Sequence, residues 1–138
     1  MTNTFVIIAA LSQKQPKPTE GELAILRVLW EGGPRSVRDI RQVLNELRPA
    51  GYTTVLKLLR IMTEKGLVDR DEKVRLQIYR TRYSREKTQK QLLQDLLQRA
   101  FGGSVRALVL QALATEKTPA KELAELESLL DRMEGESK

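Results

Sequence analysis

The 138-residue chain has no cysteine and no histidine. The first absence excludes disulfides and thiolate nucleophiles. Together they exclude Cys/His metal sites and the side chain most used for proton transfer near neutral pH. Aromatic residues make up only 4%, with 8 glycines and 5 prolines, a poor match to a sheet-rich sandwich or a low-complexity chain. The apolar run Phe5–Leu11 is seven residues long, far below the roughly 18–20 that span a bilayer. It lacks the preceding Lys or Arg of a signal peptide. Carboxylates are present, but in no spacing that pairs an acid with a base, and no glycine-rich loop follows a strand to hold phosphate. The expectation is a cytoplasmic protein with no membrane association, no enzymatic activity, no cofactor and no metal site.

What is present is helix-forming and charged. Charged residues are 30% and hydrophobic ones 41%, the balance of a globular chain. Charge is unevenly placed. Met1–Tyr83 carries 15 Lys/Arg against 9 Asp/Glu, whereas Ser84–Lys138 carries 9 against 9. The whole net charge of +6 therefore belongs to the first part. A polyanion-binding half joined to a half with another task fits that asymmetry better than a uniformly basic protein.

Apolar spacing gives the elements. Residues 1–17 read as an arm or linker, ending in the proline-rich Ser12–Pro18; edge strand, partner-binding arm and simple extension all stay open for its apolar part. Thr19 and Glu22 form a capping-box pattern before a helix with Leu23, Ile25, Leu26, Leu29 and Trp30 on its apolar face. Gly32-Gly33-Pro34 stops it. Ser36 and Asp39 cap a second helix with Ile40, Val43, Leu44 and Leu47. A third starts near Tyr52, carries Val55, Leu58, Leu59 and Met62, and ends at Gly66 as its C′ residue. The period then changes to two: Leu67–Arg70 is one strand and Arg75–Arg82 another, with Leu76 and Ile78 on one face and Gln77 and Tyr79 on the other. Three helices and a hairpin make a winged helix-turn-helix. The expected fold is mainly α with a small β-hairpin: a winged-helix domain over 18–83 followed by a helical region over 84–138.

In that layout the third helix is the reader. Its face opposite the core carries Thr53, Thr54, Lys57, Arg60 and Glu64. Thr hydroxyls and methyls suit base edges and thymine methyls; Lys and Arg suit guanine acceptors or phosphates. Glu64 reads as solvated surface, and Leu56 as either a thymine-methyl contact or packing. With Tyr52 at the helix start and Lys73 and Arg75 at the hairpin tip, Tyr52, Thr53, Thr54, Lys57, Arg60, Lys73 and Arg75 are the candidate DNA-binding residues.

The stretches KPTEGELAILRVLWEGGPRSVRDIRQVLN and YTTVLKLLRIMTEKGLVDR resemble the penicillinase-repressor family of bacterial transcription regulators. The likeness covers about residues 16–130 and is densest over Lys17–Arg70. It implies a winged-helix repressor that dimerises through its C-terminal helices and binds palindromic double-stranded DNA, with base-reading residues at Thr53, Thr54 and Lys57. The wing departs from the family pattern: Lys73-Val74-Arg75 stands where relatives have a Gly-Arg pair. The resemblance also implies an inactivating protease from a sensor system, acting after the long helix. The matching bond here is Ala100–Phe101, without the asparagine found in relatives, and Phe101 reads more simply as a core aromatic. A copper-sensing branch uses C-terminal cysteine pairs, which this chain lacks.

The neutral half reads as three helices capped by Ser84, Ser104 and Thr118-Pro119. They barely suffice for a core of their own. Leu92, Leu93, Leu96, Leu97, Phe101, Leu108, Val109, Leu123, Leu126 and Leu130 are accordingly expected to form a homodimer interface. The rival reading from another class is a protein-binding winged-helix adaptor without sequence-specific DNA binding.

Overall fold

The computed structural model describes residues 15–47, 49–72 and 75–136. Its elements in chain order are α1 (Glu20–Gly32), β1 (Arg35–Ser36), α2 (Val37–Leu47), α3 (Tyr52–Lys65), β2 (Val68–Asp71), β3 (Ile78–Thr81), α4 (Arg85–Phe101), α5 (Val105–Thr115) and α6 (Ala120–Glu136). Residues up to Gln91 form one compact unit and those from Leu92 a second, so α4 begins in one and ends in the other.

The first unit is a helical triangle closed by a small sheet. The Thr19 hydroxyl accepts from the Glu22 N–H at 3.3 Å, while the Glu22 carboxylate accepts from the Thr19 N–H at 2.8 Å. This is the capping box that starts α1. Ser36 Oγ accepts from the Asp39 N–H at 3.2 Å at the head of α2. At the end of α3, Gly66 takes φ +83°, and its N–H and that of Leu67 reach back to Thr63 and Met62 carbonyls at 3.2 and 2.8 Å. Only glycine adopts that backbone without strain.

These ends hold the apolar stripes in register. Ile25, Leu26, Val28 and Leu29 of α1 meet Val37, Ile40 and Leu44 of α2 and Val55, Leu59 and Met62 of α3, with Leu67, Val68 and Tyr79 closing the core. Leu23, Trp30, Val43 and Leu58 pack at its edge. Leu47, which the spacing assigned to the α2 stripe, is 78% exposed. It sits in the last turn, beyond the reach of α1 and α3.

The hairpin differs from its sequence reading in two ways. The strand expected over Arg75–Arg82 begins only at Ile78, and Leu76 is 69% exposed while Tyr79 is buried. A third strand also exists: β1 pairs antiparallel with β3 (Arg35 opposite Tyr79, Ser36 opposite Ile78), giving the order β1-β3-β2. Leu76 lies ahead of the paired strand, whereas Tyr79, within it, turns its ring into the core. A two-residue strand has no period of its own to read.

The last residues of the expected N-terminal arm belong to this unit. Gln15 is buried, and its Nε2 donates to Thr88 Oγ1 at 2.7 Å and Gln91 Oε1 at 3.2 Å. Gln91 donates back to the Gln15 carbonyl. Lys65 Nζ donates to the Lys17 carbonyl at 3.3 Å. The run Phe5–Leu11 lies outside the described residues.

The second unit holds the end of α4 with α5 and α6. Ser104 Oγ accepts from the Ala107 N–H at 3.1 Å to start α5. Pro119 stands one residue before α6 and its carbonyl accepts from Leu123 at 3.0 Å. Arg106 of α5 pairs with Glu134 at 3.2 Å and Asp131 at 3.7 Å on α6. None of the described residues from Leu92 onward is buried.

Candidate nucleic-acid interface

Once α3 sinks Val55, Leu59 and Met62 into the core, its other face must look outward, at 100° per residue. Tyr52, Thr53, Thr54, Lys57 and Arg60 are all exposed there, with Glu64 one turn further on. The helix begins at Gly51 without a side-chain cap, and no acidic residue lies in its first turn. Its first N–H groups and the positive end of its dipole therefore stay available to an anion.

Beside α3 a cleft of about 920 Å³ runs between the start of α2, the inner flank of α3 and the hairpin. Five arginines line it: Arg38 and Arg41 from α2, Arg60 from α3, and Arg70 and Arg75 from the hairpin. Asp39 is the one carboxylate among its lining residues. Like charges at this density repel, and a polyanion relieves them. Arg41 is steadied by donating from Nε to the Ala50 carbonyl at 3.1 Å. Arg70 pairs with Glu72, and its hydrogen bonds to Glu72 and Tyr79 hold it above the usual arginine range.

Of the residues expected from sequence, the cleft brings Tyr52, Arg60 and Arg75 together, whereas Thr53, Thr54 and Lys57 stand on the outer face of α3. Lys73 lies outside the described residues. Leu56 lines the cleft and packs against the core edge. Sequence reasoning passed over Arg38, Arg41 and Arg70. The signal was present: Arg38 and Arg41 stand three residues apart on α2, off the Ile40/Leu44 face.

Ion pairs stiffen the wing itself. Arg82 donates to Asp69 Oδ1 at 2.6 and 3.1 Å, and Arg80 lies 4.0 Å from Asp71. At the back of α3, Lys65 Nζ reaches Glu22 Oε1 at 2.7 Å. Burial by itself raises the Glu22 carboxyl, but the Lys65 ammonium and the Thr19 N–H outweigh it and hold the group below the ordinary glutamate value. The pair ties the far end of α3 to the start of α1.

Three helices, a short strand and an arginine-bearing hairpin around an exposed third helix define a winged helix-turn-helix, a DNA-binding class. The chain belongs to the penicillinase repressor family, whose model matches residues 18–132. That family consists of transcriptional repressors. A penicillinase repressor of Bacillus licheniformis is 19% identical over 126 residues, covering 91% of this chain and 98% of that one. Among solved structures, AbfR of Staphylococcus epidermidis is 20% identical with a TM-score of 0.43, covering 95% of this chain and 86% of that one. A structure of reduced AbfR bound to DNA is 17% identical with a TM-score of 0.41, covering 99% and 87%. No helix among the described residues is long and apolar enough to cross a membrane.

Proposed function

We propose that this protein is a cytoplasmic repressor that binds a palindromic operator as a homodimer and blocks transcription by occupying the promoter. The observation that carries the reading is the arginine-lined cleft set against the exposed Thr53–Arg60 face of α3. In it, Thr53, Thr54 and Lys57 read base edges in the major groove. Tyr52, Arg38, Arg41, Arg60, Arg70, Arg75 and Lys73 hold the flanking phosphates. Phosphate neutralisation supplies most of the affinity and makes it fall steeply with salt; α3 supplies the specificity.

Dimerisation rests on the second unit. Leu93 and Leu96 of α4 are about half exposed, and Leu92, Leu97, Phe101, Leu108, Val109, Leu123, Leu126 and Leu130 are only partly covered. A second copy supplies the missing cover and places two recognition helices on two half-sites, one helical turn or a multiple apart.

The test is fluorescence anisotropy on a duplex from the gene's own upstream region beside a scrambled duplex, at two salt concentrations. The expected result is about 10³-fold tighter binding to the native duplex, with two protomers per site. Equal weak binding to both, together with little retention on heparin, overturns the repressor reading in favour of a protein-binding adaptor.

A further inference from the structure

One helix leads out of the winged unit, and its root is held by polar contacts. α4 begins in that unit and ends in the second. None of its residues belongs to the closed core or packs at the core's edge. Thr88, 2% exposed, is its one buried residue. A helix rooted without an apolar face takes its direction from the polar groups that hold it.

Arg85 supplies an exposed contact, donating from Nη2 to the Trp30 carbonyl at 3.3 Å. The enclosed contact comes from ahead of α1. Buried Gln15 donates from Nε2 to Thr88 Oγ1 at 2.7 Å and to Gln91 Oε1 at 3.2 Å. Gln91 donates back to the Gln15 carbonyl. The same short segment is fixed at its other end. Lys65, the last residue of α3, donates to the Lys17 carbonyl at 3.3 Å while pairing with Glu22 at 2.7 Å, and Thr19 caps α1. Residues 15–19 thus run from the root of α4 to the end of α3 and the start of α1. Gln15 Oε1 has no partner, so the latch is only partly satisfied and modest in strength.

We propose that Gln15–Thr19 is a positioning strap that registers α4 against α3, and that it sets the half-site separation the repressor accepts. This rests on the dimeric, operator-binding reading given above. The lever is the helix itself. From Thr88 to Phe101, α4 extends about 20 Å at about 1.5 Å per residue. A swing of about 10° at the root moves the far end by roughly 3.4 Å, one base-pair step of duplex. Held only by the chain and Arg85, the root is free to make such a swing; the strap removes that freedom.

The test compares the full-length parent with Gln15→Ala, Thr88→Val and Thr88→Ser. Each is bound to the upstream duplex and to versions lengthened or shortened by one base pair at the centre of symmetry. Gln15→Ala and Thr88→Val should lower the parent's discrimination between separations about fivefold, the equilibrium effect of one modest hydrogen bond. Thr88→Ser keeps the hydroxyl and should retain the parent's discrimination. Amide exchange over Thr88–Gln91 should quicken in the first two variants and not in the third. Affinity lost equally at every separation would mark a contact that only supports the fold, and overturns the inference. An unchanged separation profile or unchanged exchange overturns it as well. Gln15 lies outside every helix, so its variant carries the test if circular dichroism shows Thr88→Val to be misfolded. A parent with no preference for the upstream duplex fails the repressor reading and this inference with it. That outcome is distinct from a parent and variants that discriminate alike.

Discussion

The two units of this chain have similar supplies of leucine and handle it oppositely. In the first, α1, α2, α3 and the sheet surround Ile25, Ile40, Leu59 and Met62 so completely that none retains measurable exposure. In the second, Leu93, Leu96, Val105, Leu110, Leu129 and Met133 are each roughly half exposed. Apolar residues recur at helical spacing in both, more sharply in the first unit than in the second. The difference is the number of layers: three helices and a sheet enclose a volume, whereas α5, α6 and the end of α4 offer one apolar face each with too little chain to cover them. The first unit therefore completes its core within the chain, and the second is built as if half of a core were to come from elsewhere.

That contrast can be broken at several points. The largest effect is expected from Leu126→Glu with Leu130→Glu. Two charges on each copy in the proposed dimer interface should convert the protein to monomer by sedimentation, weaken operator binding at least 100-fold, and leave the circular dichroism of the winged unit in place. A protein that stays dimeric with both changes would mean that the interface lies elsewhere. Next comes the closed core. Leu59→Ala should lower stability by about 2–5 kcal/mol in urea unfolding, because a fully buried leucine leaves a cavity, whereas Leu93→Ala should cost far less in a monomeric background.

Smaller effects sharpen the basic side of the comparison. Lys57→Ala should cost about 1–3 kcal/mol on the operator and much less on random duplex; equal losses would make it a phosphate contact. Arg38→Ala and Arg41→Ala should weaken both duplexes alike and each lower the salt slope by about one.

A further effect of similar size depends on acidity. The Glu22 carboxyl is held below its ordinary value of 4.5, so its ionised form stabilises the fold. That contribution is complete above the unfolded-state value and disappears as pH falls through the lower folded value. Glu22→Gln should therefore destabilise by about 1–3 kcal/mol near pH 7, and the gap to the parent should close progressively as pH falls below 4.5. A gap constant with pH would assign the loss to packing and not to the ion pair with Lys65.

Particular residues show how far the chain could be read before folding. The caps at Thr19/Glu22, Ser36/Asp39 and Ser104/Ala107 and the glycine stop at Gly66 were legible because each joins residues at most four apart. The outward face of α3 was legible for the same reason: the helical period that buries Val55 and Leu59 necessarily exposes Thr54 and Lys57. The β1–β3 pairing, the inward turn of Tyr79 and the Gln15–Thr88 contact were not, since each depends on partners distant in sequence. Nor was the arginine cleft. Arg38, Arg41, Arg60, Arg70 and Arg75 belong to three elements, and only packing makes them one surface.

What the amino-acid order determined by itself, then, was the helices, their capped ends, the exposed face of α3 and the confinement of net positive charge to the first 83 residues. All of these follow from interactions within a few residues or from composition. What tertiary structure decided was where that charge converges, which strand face is buried, and that the C-terminal helices keep their apolar faces uncovered. Those outcomes turn on which surfaces meet, and the free energy of burial depends on the partner surface as much as on the residue.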